Sequence, residues 1–294
     1  MPGAAVIAVD WGTTNRRVLL LDAAGTVLAV NPDARGVLSG NVTDYVAEIA
    51  DLRARLGDLP VIAAGMVGSS RGWREVPYVA APAGLPALAR GMIEVADRVT
   101  IVPGVSLVDG MASEVMRGEE VQVLGAVAAG LAPQTALFCQ PGTHSKWVRV
   151  EDARITGCTT AMTGELFGLL RRDSVLAEML AGDISPGRAF REGVERGKGA
   201  SDLTVALFRI RAACLLGELD QTDAPSFASG LLIGAETGAQ GNLAGREVHL
   251  ISGGALGELY AAAIEAAGGT PVRIDDTNAF AAGIANMREA APCA

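Results

Sequence analysis

An aspartate closing an apolar run, with two threonines just behind a glycine, sets the first chemical constraint. Val6-Ile7-Ala8-Val9-Asp10 leads into Trp11-Gly12-Thr13-Thr14-Asn15, and Arg17-Val18-Leu19-Leu20-Leu21-Asp22 follows at once. The pattern predicts a buried strand, a tight polar turn and a second strand. Gly12 lets the backbone turn sharply and approach a ligand, while the Thr13 and Thr14 hydroxyls and nearby amides can donate to phosphate oxygens. Ionised Asp10 donates nothing. Beside phosphates it suits hydrated Mg²⁺, which keeps several waters and links a protein carboxylate to a nucleotide. Alone, such a run is more often an ordinary hairpin with a polar turn; two further segments reverse that balance.

Ala136-Leu137-Phe138-Cys139-Gln140 followed by Pro141-Gly142-Thr143-His144-Ser145-Lys146-Trp147 repeats the arrangement. A second glycine–hydroxyl turn at the end of an apolar strand would let two repeats hold one polyphosphate. His144 reads either as a satisfied turn histidine or as a phosphate or substrate contact. Lys146 reads as a compact phosphate-binding charge or as a solvated lysine. The third segment, His249-Leu250-Ile251-Ser252-Gly253-Gly254, runs a strand into paired glycines and a helix. An open helix N-terminus there makes a ledge for a nucleotide; the plainer reading is a glycine-softened turn. No GxxxxGK[ST] run is present, because Arg196-Gly197-Lys198-Gly199 lacks both the earlier glycine and the hydroxyl, so a P-loop NTPase is disfavoured.

The elements that must position these residues follow from length and patterning. At 294 residues, half of them hydrophobic, the chain is long enough for two cores. A net charge of −9 argues against an extended nucleic-acid surface. Cys139, Cys158, Cys214 and Cys293 lack zinc or disulfide spacing, and only His144 and His249 could join them. No run of eighteen apolar residues and no leader pattern is legible, so the expected setting is cytoplasmic, with no membrane partner. Residues 5–31 read as three strands in succession, after which helices and strands alternate; residues 135–157 begin the same way again. Helices are expected over 84–96, 113–129 and 163–181, among others. The repeat predicts an α/β protein with two domains, 1–132 and 133–294, joined near Gly130-Leu131-Ala132-Pro133.

These segments carry a resemblance. DWGTTNRRVLLLD is similar to the first phosphate motif of the sugar kinase, heat-shock protein and actin superfamily, and especially of the FGGY carbohydrate kinases. PGTHSKW resembles their second phosphate motif, ISGGALGELYAAAIEAAGG their adenosine motif, and Ala279-Phe280-Ala281-Ala282-Gly283-Ile284 their connecting helix. The closer resemblance is to the 2-dehydro-3-deoxygalactonokinase family, through AAGMVGSSRGW at 63–73, VMRGEE at 115–120, PGTHSKWV at 141–148, MTGEL at 162–166 and SGLLIGAE at 229–236. It covers nearly the whole chain in order. It implies two ribonuclease H-like domains of the actin-like ATPase fold around a nucleotide and substrate cleft. The implied reaction is transfer of the ATP γ-phosphate to the 6-hydroxyl of 2-dehydro-3-deoxy-D-galactonate, with Mg²⁺.

On that resemblance ATP is expected at Gly12, Thr13, Thr14, Gly142, Thr143, Ser252, Gly253 and Gly254, with Asp10 reaching Mg²⁺ through water. FGGY kinases place an aspartate base at a helix start; here Gly118-Glu119-Glu120 stands instead, so Glu119 is the first choice of base and Glu120 the second. The alternative is that both simply favour the helix dipole. An acid-sugar acceptor needs a cation, and Arg17, Arg71, Arg74 and Arg117 lie in or beside the motifs. Arg71 and Arg74, with Arg17 as alternative, are the candidates for the acceptor carboxylate; Ser69, Ser70 and Trp73 are those for the polyol. A kinase for another sugar or sugar acid, such as 2-dehydro-3-deoxygluconate, shares the nucleotide motifs. A non-enzymatic actin-like protein is the third reading, weakened by the lack of a long insertion. C4 stereochemistry stays open, as does the choice between a single chain and a homo-oligomer.

Overall fold

The computed structural model describes residues 3–290; Cys293 lies outside them. Contacts divide the chain into two compact units, one of 1–136, 148–158 and 275–294, the other of 137–147 and 159–274.

In the first unit β1 (Ala4–Trp11), β2 (Arg16–Asp22), β3 (Val27–Asp33), α1 (Tyr45–Leu56), β4 (Val61–Gly65), β5 (Val79–Ala80), α2 (Leu85–Gly91), β6 (Ile93–Ala96), β7 (Val99–Ile101), β8 (Val105–Leu107), β9 (Glu114–Met116) and α3 (Glu119–Ala128) follow one another. Its main sheet runs β3-β2-β1-β4-β7-β6. Strand β1 pairs antiparallel with β2 and parallel with β4. Val6 to Val9 are buried without a break, the pattern of a central strand covered on both faces. Asp44 opens α1 by accepting the N–H groups of Val46 and Ala47.

The chain continues through β10 (Ala136–Gln140), β11 (Ser145–Glu151), β12 (Arg154–Ala161), α4 (Thr163–Asp173), α5 (Arg188–Lys198), α6 (Leu203–Leu216), α7 (Ala224–Gly238), β13 (Glu247–Ile251), α8 (Gly254–Ala266), β14 (Thr270–Ile274) and α9 (Asp276–Ala290). The second sheet runs β12-β11-β10-β13-β14, repeating the β3-β2-β1-β4-β7 order of the first. That duplicated three-strand opening followed by parallel strands is the ribonuclease H-like pattern.

Three expected helices divide differently. Residues 84–96 form α2 and then β6, because Ile93-Glu94-Val95-Ala96 finds a ladder partner in β7. Residues 113–129 begin as β9, paired with β8; Gly118, at φ 113°, turns the chain before α3 starts. Helix α4 ends at Asp173, where Ser174 is extended and its hydroxyl donates back to the Leu170 carbonyl. The compact units interleave along the chain, with 148–158 and 275–294 grouped with the first. Helix α9 belongs with the first because it packs on α3 at backbone distance: a Cβ on Gly125 would strike the Ala279 carbonyl, and one on Gly283 the Val121 carbonyl. In the second unit, α5 and α7 meet the same way through Gly193, Gly197, Gly230 and Gly234.

Candidate active site

The turn after β1 is held from behind. The carbonyls of Gly12, Thr13 and Thr14 accept the N–H groups of Val37, Leu38 and Gly36 at 2.9, 2.8 and 3.0 Å. With these acceptors engaged, the turn leaves Thr13 and Thr14 exposed.

Beside it Arg17 Nη2 donates to Asp10 Oδ2 at 3.0 Å, and Arg17 Nη1 donates to Asp276 Oδ2 at 2.8 Å and to Thr277 at 3.2 Å. Gln122, one turn into α3 from Glu119, donates to the same Asp10 oxygen at 3.4 Å. Burial pushes the Asp10 carboxyl above its ordinary value, Arg17 opposes the shift, and the charges of Glu119 and Asp276 add to it. Two carboxylates thus share one guanidinium, and a third, Glu119, lies close enough for its charge to act on Asp10. No group of three potential ligands close enough to enclose a metal occurs among the described residues. Such a donor set suits a hydrated cation that keeps its waters better than one that needs an all-protein cage.

The two candidate bases part company at the start of α3. Glu119 is half-buried, with Oε2 accepting the Arg117 N–H at 3.1 Å. Glu120 is fully buried and folds back on the helix start, both oxygens accepting the Gly118 N–H at 2.8 and 2.7 Å. Burial, then the Glu119 charge, push Glu120 up to about 8. Gly118 is required here by its positive φ and by Gly65, whose Cα a Gly118 Cβ would meet at 3.1 Å.

Of the acceptor candidates, Arg71 and Arg74 are exposed and make no ion pair among the described residues. Ser69 turns inward, its hydroxyl donating to the Met66 carbonyl at 2.7 Å and accepting the Arg71 N–H at 3.2 Å, while Ser70 is exposed. Trp73 stacks on Tyr45 with ring centroids 5.5 Å apart. Arg117 donates from Nη2 to the Val76 carbonyl at 2.8 Å and lies 4.2 Å from the centroid of the Tyr78 ring.

In the second unit Gly142 and Thr143 form the turn between β10 and β11, clamped to the start of α4. Glu165 donates its N–H to the Thr143 carbonyl at 2.9 Å, the His144 ring meets the Glu165 carboxylate at 2.7 Å, and a Cβ on Gly164 would strike the Gly142 carbonyl. Lys146 is buried in β11 with no ion pair among the described residues. Behind the turn stands a carboxylate that sequence reasoning left unassigned. Buried Glu236 on α7 accepts Trp147 Nε1 at 2.7 Å, the Tyr260 hydroxyl at 2.8 Å and the Thr163 hydroxyl, and Tyr260 in turn meets the Ser145 hydroxyl at 2.6 Å. Burial raises this carboxyl while its donors hold it down.

Thr163 and Tyr260 also line a cavity of about 90 Å³, with Gly142, Gly164, Phe167 and Leu256 among its other walls. Helix α8 starts beside it, and a Cβ on Gly253 or Gly254 would meet open space. His249 is buried in β13 against Phe138, and burial lowers its pKa.

The fold is of the actin-like class. The activator of the 2-hydroxyisocaproyl-CoA dehydratase from Clostridium difficile, crystallised with bound ADPNP, shares the fold at a TM-score of 0.52 and 12% identity, over 97% of this chain and 95% of its own. Within that class the chain belongs to the family described as 2-keto-3-deoxy-galactonokinase, whose profile matches residues 10–287. It is 35% identical to the Escherichia coli (strain K12) 2-dehydro-3-deoxygalactonokinase over 291 residues, 98% of each chain. The crystal structure of a provisionally named 2-dehydro-3-deoxygalactonokinase from Sinorhizobium meliloti superimposes with a TM-score of 0.90 at 36% identity, over 98% of this chain and all of that one.

Proposed function

We propose that this chain is an ATP-dependent phosphotransferase with an alcohol acceptor, a 2-dehydro-3-deoxygalactonokinase acting on the 6-hydroxyl of 2-dehydro-3-deoxy-D-galactonate in galactonate catabolism. The observation that carries the reading is Asp10, bonded with Asp276 to Arg17 and within reach of the Glu119 charge, beside the Gly12-Thr13-Thr14 turn in a chain of this kinase family.

In this reading residues 1–132 form the domain with the first phosphate turn and the acceptor residues, and 133–294 the domain with the second phosphate turn and the adenosine ledge. Gly12, Thr13, Thr14, Gly142 and Thr143 bind phosphate oxygens. Ser252, Gly253 and Gly254 take the adenosine at the start of α8, and the apolar cavity beside it suits the base. Mg²⁺, bound through water, supplies charge neutralisation at the phosphates; Asp10 orients that water. Glu119 accepts the hydroxyl proton as the nucleophile forms. Glu120 has its carboxyl turned onto its own backbone, so its part is to hold the start of α3. Arg71 and Arg74, unpaired with any carboxylate among the described residues, are the forks for the acid, and Ser69, Ser70 and Trp73 border the polyol. Arg17, the alternative for the substrate carboxylate, is already engaged by Asp10 and Asp276, which favours Arg71 and Arg74 over it. No helix among the described residues is long and apolar enough to cross a membrane; a cytoplasmic setting, where ATP is supplied, is part of the proposal.

A coupled assay over 2-dehydro-3-deoxygalactonate, its gluco epimer, galactose and glycerol tests the reading. The galacto acid is expected to give the highest kcat/KM. Neutral sugars used equally well would overturn the acid-sugar assignment, and ATP turnover with none of them would revive a non-enzymatic actin-like role.

A further inference from the structure

Helix α6 has two unlike faces. Ala206 and Ile210 are buried, and Leu203, Leu207 and Cys214 pack on the cluster formed with α7. The outward face is also apolar: Val205 is 44% exposed, Phe208 62%, Leu215 67% and Leu216 75%. Arg209 is the one exposed charged residue among the described residues of α6, with half-buried Arg211 at the edge of the face. Helix α5 shows what a solvated helix in this protein looks like, since its exposed positions are Arg188, Arg191, Glu192, Glu195 and Arg196. Val175, 65% exposed, extends the patch, because Arg211 reaches from α6 to the Val175 carbonyl at 2.9 Å.

We propose that this face is a homodimer interface, in which α6 packs antiparallel on α6 of a second copy. The exposed apolar side chains amount to on the order of 500 Å² per chain, at the upper end of what a monomer leaves uncovered. Doubled by a two-fold axis they reach the ~1,000 Å² that a specific interface must clear. The spacing favours a copy over an unrelated partner. Val205, Phe208, Ala212 and Leu215 recur at intervals of three, four and three, the seam of paired helices. In an antiparallel pair centred on Ile210, Val205 stands opposite Leu215 of the second copy and Phe208 opposite Ala212, a large side chain over a small one. A two-fold interface must be self-complementary in this way.

Sedimentation velocity of the full chain over about 1–100 µM, the range of a modest association, should show a dimer. Phe208→Glu with Leu215→Glu should give a monomer with kcat and both KM values unchanged, and circular dichroism will show whether these exposed substitutions leave the fold intact. As an independent arm, Val205→Cys with Leu215→Cys should yield an oxidised covalent dimer absent from the wild type. Ten residues of helix separate the two sites by ~15 Å, too far for a bridge within one chain. A wild type monomeric at the highest concentration would overturn the proposal and leave the face to a different partner. A dimer that survives the double glutamate variant, or a cysteine variant that forms no bridge, would overturn it as well.

Discussion

Arg17 divides one guanidinium between Asp10, 3.0 Å away on the neighbouring strand, and Asp276, 2.8 Å away at the start of α9 and 259 positions further along the chain than Arg17. The pairing ties the first strand pair to the last helix and fixes which oxygen of Asp10 faces the protein. Both bonds to Asp10, from Arg17 and Gln122, fall on Oδ2.

Arg17→Ala is therefore expected to act as loss of a positioning residue. Asp10 would lose its orientation and its strongest charge partner, and its carboxyl, already raised by burial, would rise further. Activity should fall roughly tenfold or more, with the acid limb of the kcat–pH profile moved to higher pH, because the ionised Asp10 is the working form. Arg17→Lys should recover part of the loss. A variant in which only the KM of the acid changes would return Arg17 to the substrate carboxylate.

Glu119→Gln should lower kcat by roughly 10²–10⁴-fold with little change in either KM, the expectation for a lost general base. Glu120→Gln should stay active, since its amide oxygen can still accept the Gly118 N–H. Its effect should appear in stability. Glu120 holds its proton up to about pH 8 in the folded protein, whereas an unfolded glutamate releases it near the ordinary value of 4.5. The folded state thus binds the extra proton between those values, and wild-type stability contains a contribution that declines as pH rises through that window. Urea melts of the Gln variant from pH 5 to 8 should lack that decline. A large kcat loss in Glu120→Gln with a mild one in Glu119→Gln would reverse the roles.

Glu236→Gln tests the carboxylate behind the second phosphate turn. An amide offers one acceptor oxygen where Trp147, Thr163 and Tyr260 all donate, so at least one buried donor loses its partner, at a cost of about 1–3 kcal/mol. Because Thr163 opens the helix that clamps the turn, and Tyr260 lines the cavity, the KM for ATP should rise several-fold while the KM for the acid holds. Trp147 emission should shift with the lost bond. An unchanged KM for ATP beside a lowered Tm would make the network purely structural.

Arg71→Ala and Arg74→Ala address the acceptor. A charge-assisted pair contributes about 1.5–3 kcal/mol, so loss of the right one should raise the KM of the acid by at least tenfold and leave that of ATP alone. If neither does, Arg117, set between Val76 and Tyr78, becomes the next arginine to truncate.

The local chemistry of this protein was legible along the chain. Strand, glycine turn and strand around Asp10 and around Gly142 could be read from apolar runs broken by Gly and Thr, because tight turns and buried strands are dictated within a few residues. The repeat of that opening carried the duplicated fold. The motif glycines at 118, 164, 230 and 234 were visible too, but not their reason, which is close approach to backbone distant in sequence. Tertiary structure alone decided what the charged residues do. Glu119 and Glu120 are adjacent and chemically alike, and only packing leaves one half-buried with its charge felt by Asp10 and seals the other onto Gly118. Arg17 looked available until α9 brought Asp276 to it, and Glu236 carried no assignment until β11, α4 and α8 closed around it. Side-chain geometry and pKa depend on burial and on partners hundreds of positions away, and no local pattern carries that information.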